Sequence, residues 1–116
     1  MTSQKINLDS LINVLSHSGS IEILKSLKKS PKQQTEIIKE TKLDKTIVWR
    51  RTKELGNLGL IEMEKSITQR RPIFKLTPLG KKIVKHIEEM EKEFKKYHSG
   101  LPKESDKFIG ELMEED

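Results

Sequence analysis

Up to Gly59 the apolar residues recur at intervals of three and four, the period of helices that bury one face. Leu8, Leu11, Ile12 and Leu15 make the first stripe, which stops near His17-Ser18-Gly19. Ser20 can cap a second helix bearing Ile21, Ile23, Leu24 and Leu27. It ends in Lys28-Lys29, which suit the negative end of the helix dipole, ahead of Ser30-Pro31. A third helix starts near Lys32 and carries Ile37 and Ile38 on one side. It yields at Thr41 to a Lys42-Leu43 turn. Asp44 then caps a fourth helix, its carboxylate free to accept an N–H of the first turn.

Beyond Gly59 the period shortens to about two. Ile61 and Met63 point one way in Leu60–Lys65, and Phe74 and Leu76 share a face in Pro72–Thr77. With the polar stretch 66–71 between them, these runs predict a β-hairpin. Thr77-Pro78 is then a strong helix start, with threonine at the cap and proline at the first helical position. The helix it opens runs to His98, about 31 Å at the usual rise. Its apolar residues Ile83, Ile87, Met90, Phe94 and Tyr97 form a heptad seam. So narrow a seam needs a partner, either a second copy of the chain or the chain's own first helix; the length of the helix favours the second copy. Residues 99–116 read as an acidic tail in which Ser105 could cap a short amphipathic helix with Phe108, Ile109, Leu112 and Met113 on one face.

The chain of 116 residues allows one domain and an added element. Its formal charge of +5 is unevenly placed: residues 1–78 carry a net +7 and residues 79–116 a net −2. There are only four arginines against nineteen lysines, and they fall in two pairs, Arg50-Arg51 and Arg70-Arg71. A guanidinium makes bidentate contacts to phosphate or guanine that an ammonium cannot, so the pairing marks two candidate contact points for nucleic acid. With no cysteine there is no disulfide framework, thiol nucleophile or Cys-based metal site. His17, His86 and His98 are scattered, and no glycine-rich phosphate loop or nucleophile elbow is present. The expectation is a non-enzyme without cofactor or metal. No signal-peptide core or bilayer-spanning run is found, so a cytoplasmic, nucleoid-associated protein with no membrane partner is expected. Abundant Lys, Glu and Ile without Cys fit a thermophilic or archaeal source.

Within the fourth helix, Val48, Thr52 and Leu55 share the inward face, and Thr46, Arg50 and Lys53 lie opposite. The whole stretch TEIIKETKLDKTIVWRRTKELGNLGLI, followed by a hairpin and the L-T-x-x-G element at Leu76–Gly80, resembles the winged helix-turn-helix transcriptional regulators of the MarR/ArsR kind. Two positions depart from that pattern: Lys42 stands where a turn glycine is common, and Thr52 where leucine is common. Thr52 can satisfy its hydroxyl on the carbonyl of Val48. The resemblance implies a mainly α fold with a small β-hairpin wing (α+β). Residues 1–77 would be the DNA-binding domain, 78–98 a coiled-coil dimerisation helix and 99–116 the tail.

The resemblance also makes the helix at about 44–57 the recognition helix for the major groove. Thr46, Arg50 and Lys53 would reach base edges, with Lys45, Trp49 and Arg51 on the flanks. Gln69, Arg70 and Arg71 in the wing at 66–71 would meet the backbone or minor groove. Trp49, the only tryptophan, either touches thymine methyls or a sugar, or lies against the wing or a helix as peripheral core. Ile83, Ile87, Met90, Phe94 and Tyr97 would form the dimer interface. The leading expectation is a homodimeric, sequence-specific regulator of double-stranded DNA. An architectural, chromatin-like protein and a winged helix used for protein contacts are the alternatives, and any small-molecule effector is undefined.

Overall fold

The computed structural model describes residues 6–100 apart from Ser66, Ile67 and Gln69. Five helices and three short strands follow one another as α1 (Leu8–Leu15), α2 (Ser20–Lys29), β1 (Lys32–Gln33), α3 (Gln34–Thr41), α4 (Lys45–Asn57), β2 (Ile61–Glu64), β3 (Ile73–Leu76) and α5 (Pro78–Gly100). The chain divides into two compact units, Met1–Val84 and Lys85–Asp116. The expected tail helix lies outside the described residues.

Every helix but α2 begins where a side chain can take up an orphan N–H; α2 starts after Gly19 with no side-chain cap, and Ser20, the expected cap, donates its hydroxyl to the Val14 carbonyl at 2.7 Å instead. The Asn7 side chain accepts from the Ser10 amide at 3.0 Å, and the Asp44 carboxylate from Thr46 at 2.9 Å. At the N-terminus of α3, the Glu36 carboxylate reaches back to the Gln33 amide at 2.8 Å. The turn into α4 is made by Lys42 in the left-handed region, at φ 63°. That is the conformation glycine takes without cost, so the departure noted at this position is carried as backbone strain.

The core of the first unit is the union of the predicted stripes. Ile23, Leu24 and Leu27 from α2 meet Ile37, Val48, Leu55, Leu60, Ile61 and Leu76, all buried. The stripe of α1 is only partly covered, since Leu15 is buried while Leu8 and Ile12 are exposed. At Gly19 (φ 89°) the α1–α2 turn passes so close to the α3–α4 turn that a Cβ would stand 2.8 Å from Leu43 Cδ1. Inside α4, Thr52 donates its hydroxyl to the carbonyl of Trp49 at 2.9 Å, one residue later than the expected Val48.

The sheet differs from the expected hairpin by one strand. β2 and β3 pair antiparallel in the register Ile61↔Leu76 and Met63↔Phe74, while Lys32 and Gln33 add β1 to the other edge of β3. A two-residue strand carries no alternation of its own, so the sequence read Lys32 as helix. The hairpin closes onto α5 through Thr77. Its amide donates to Leu60 O at 3.0 Å and its hydroxyl donates to Gly59 O at 2.5 Å, while the Thr77 hydroxyl oxygen accepts from Gly80 N at 2.9 Å. Gly80 sits so near the Leu60 carbonyl that a Cβ there would overlap its oxygen. The L-T-P-L-G run is thus a cap, a rigid first turn and a residue small enough for the approach.

Candidate nucleic-acid interface

The inward side chains of α4 anchor it rigidly: Val48 and Leu55 are fully buried and Thr52 nearly so. Stepping about 100° per residue from Val48 turns Thr46, Arg50 and Lys53 outward with Trp49 on the flank, and these four are exposed, as is Lys45 at the start of the helix. Among the described residues, none of Lys45, Arg50 and Lys53 has a carboxylate partner. Lys53 instead places Nζ 5.3 Å from the centroid of the Trp49 ring, a cation–π geometry.

Arg51 is the correction to this face. The sequence reading put it on the DNA-contacting flank, yet only 7% of its surface is exposed. Nε donates to the carbonyl of Ser18 at 2.9 Å, and Nη1 to Glu54 Oε1 at 2.5 Å. His17 Nδ1 completes the group, 2.9 Å from the same Glu54 oxygen. These contacts hold the Glu54 carboxyl below its ordinary pKa, the hydrogen bond with His17 foremost and the Arg51 guanidinium next. The guanidinium therefore ties α4 to the α1–α2 turn and has no free face for a phosphate. A hint lay in the sequence, since Arg51 follows Val48 by three and so falls about 60° from the buried centre.

On the hairpin, Arg70 and Arg71 are exposed and without a carboxylate partner among the described residues. Gln69, the third expected contact of the wing, lies outside the described residues. Lower on the hairpin, Lys75 pairs with Glu64 at 2.6 Å and Glu62 at 3.5 Å. These contacts raise the lysine's pKa, Glu64 first, and spend its charge within the strands.

Between α4 and the hairpin lies an open cleft of about 380 Å³. Trp49, Thr52 and Lys53 line it from the helix, Ile61, Met63 and Phe74 from the strands, and Gln34 from the start of α3. Trp49 is 57% exposed and Met63 56%, so the tryptophan flanks the cleft and is not core. Gln34 Nε2 is buried and makes no hydrogen bond. The sequence reading passed over Gln34, Met63 and Phe74 as contact residues. The alternation paired Met63 with Ile61 and Phe74 with Leu76, and only the register Met63↔Phe74 brings the two together; nothing local announced Gln34.

The seam expected on α5 divides in two. Ile83 is half-buried and Ile87 buried, whereas Met90, Phe94 and Tyr97 are each more than 60% exposed. The His98 ring lies against that of Phe94, tilted by 56° with centroids 4.3 Å apart. No group of three His, Cys, Asp or Glu with metal-binding geometry occurs among the described residues. No helix among them is long and apolar enough to cross a membrane.

A family model described as winged helix-turn-helix matches residues 20–95. Among solved structures, the chain is similar to the reduced form of the transcriptional regulator YodB from B. subtilis, at 22% identity and a TM-score of 0.65, over 78% of this chain and 89% of that one. A variant of MepR from S. aureus aligns at 19% identity and a TM-score of 0.70, over 90% and 80%. A homodimeric winged helix-turn-helix DNA-binding domain from Mycobacterium bovis, a possible ArsR-family transcriptional regulator, aligns at 17% and 0.66, over 88% and 100%. No curated protein matches the chain. At these identities the likeness to solved structures establishes the fold.

Proposed function

The chain belongs to the winged helix-turn-helix family, and on that premise we propose that it is a homodimeric, sequence-specific DNA-binding regulator of transcription. One observation carries the reading: Thr46, Arg50 and Lys53 on α4 and Arg70 and Arg71 on the hairpin stand exposed, their cations unpaired by any carboxylate among the described residues. In a chain rich in glutamate, a charge left unspent at both places favours an anionic partner. A helix of this width fits the major groove, where arginine and lysine read guanine edges and threonine contacts thymine methyls. Lys45 and Trp49 flank that contact, and Arg70 and Arg71, with Gln69 preceding them in sequence, are assigned to phosphates or the adjacent minor groove.

The body at 1–77 is the DNA-binding part in this reading, and α5 joins two copies. Met90, Phe94 and Tyr97 supply an exposed apolar stripe at heptad spacing, continuous in sequence with Ile83 and Ile87. The homodimeric domain from Mycobacterium bovis supports the same assembly. A two-fold dimer binds two half-sites whose centres are one helical turn or a multiple apart.

Selection of bound fragments from fragmented genomic DNA, followed by anisotropy titration of a recovered duplex at two salt concentrations, tests the reading. A pseudo-palindromic motif and affinity falling steeply with salt are expected, because each neutralised phosphate releases counterions. Binding without a motif would make the protein architectural. Absence of binding at low salt would end the DNA reading.

A further inference from the structure

Building on the DNA-binding reading, we infer that the cleft between α4 and the hairpin is a seat for the sugar–phosphate strand itself, gripping deoxyribose through apolar contacts. The two reading elements leave little choice of neighbour. With a helix in a major groove about 12 Å wide and a hairpin tip at the adjacent minor groove about 6 Å wide, one backbone strand separates them. That strand has to cross the surface between helix and hairpin, where the cleft of about 380 Å³ opens.

The lining matches that occupant. Trp49 and Met63 stand on opposite walls, each more than half exposed, with Phe74 paired to Met63 across the strands. Exposed apolar side chains beside a basic face are poor phosphate contacts, but they suit the C–H faces of deoxyribose. Lys53 stands at the rim with no carboxylate partner among the described residues and is available to a phosphate oxygen. The one acidic side chain of the lining, Glu62, is held 3.5 Å from Lys75, which tempers its charge toward a passing phosphate. Trp49 thereby acts as a positioning residue for the strand and reads no base.

Hydroxyl-radical footprinting reports the solvent exposure of each deoxyribose and tests this directly. The full chain is bound to a duplex recovered by the genomic selection, as wild type, Met63→Ala, Trp49→Ala and Lys53→Ala. The wild type should protect a short run of sugars in each half-site on the strand between the two grooves. Met63→Ala and Trp49→Ala should lose that protection and weaken binding roughly tenfold. They should leave the dependence of log K on log salt unchanged, because an apolar contact releases no counterion. Lys53→Ala should lower that slope by about one. Both apolar side chains are largely exposed, so thermal melts of their variants should match the wild type and exclude misfolding. Normal affinity and an unaltered footprint in the two apolar variants, with wild-type binding intact, would overturn the inference and leave the cleft open to a small planar ligand. A wild type that binds no DNA at low salt would overturn the underlying reading, and this inference with it.

Discussion

Replacing Arg51 by alanine should unfold the protein earlier without taking away a DNA contact, although its neighbour Arg50 is exposed and is the residue proposed to face the groove. The side chain of Arg51 is 7% exposed and donates to Ser18 O at 2.9 Å and to Glu54 Oε1 at 2.5 Å. Hydrogen bonds involving a charged group are worth about 1.5–3 kcal/mol each. The buried stem adds about 0.8 kcal/mol per methylene. Against these stand the relief of guanidinium desolvation and the partial exposure of Glu54, at 29%, which lets water replace part of the lost pairing. A net loss of about 3 kcal/mol follows, a large share of the roughly 5–15 kcal/mol that holds a domain together. At about 4 °C per kcal/mol for a chain of this size, the midpoint should drop by roughly 12 °C. Circular dichroism melts at matched protein concentration measure it, since the proposed dimer would make the midpoint concentration-dependent. Arg51→Met keeps the stem and should recover part of the loss. Well below the midpoint, Arg51→Ala should bind DNA with the salt slope of the wild type. If it instead melted within two or three degrees of the wild type (about half a kcal/mol) and lowered the salt slope by about one, the guanidinium would be a phosphate contact and the reasoning would fail.

Other outcomes follow from the same contacts. Arg50→Ala should leave stability within about 0.5 kcal/mol while relaxing base preference, whereas Arg70→Ala should weaken all duplexes alike; competition titrations with altered half-sites separate the two. Gly80→Ala forces its Cβ onto the Leu60 carbonyl, so a loss of about 3 kcal/mol or more is expected by urea denaturation, and a near-neutral result would mean α5 can shift without cost. Glu40 is held from an ordinary 4.5 to about 2, mainly by hydrogen bonds from Lys29 and Ser26. A depressed carboxylate stabilises above its unfolded pKa, so its contribution should be complete above about pH 5 and vanish as pH falls through about 2. Glu40→Gln should flatten stability over that window, and an unchanged pH profile would refute the pairing. Phe94→Glu, at a position 65% exposed, should spare the fold and shift sedimentation from dimer to monomer.

The sequence by itself determined the order of the four helices, the hairpin and the long final helix, because side-chain periodicity is a local property of the backbone. It placed Val48, Thr52 and Leu55 inside and Thr46, Arg50 and Lys53 outside, and the Thr77-Pro78 start needed no tertiary knowledge. The tertiary structure decided what depends on residues far apart in the chain. Arg51 is turned from contact to tie by Ser18 and His17, more than thirty positions away. The strand Lys32–Gln33 exists only because β3 offers it an edge. Glycine at position 80 is explained by a carbonyl twenty residues earlier. The cleft beside Trp49 draws together Gln34 and Phe74, forty positions apart in the chain. A period tells each side chain which way to face, and only the assembled fold supplies what it faces.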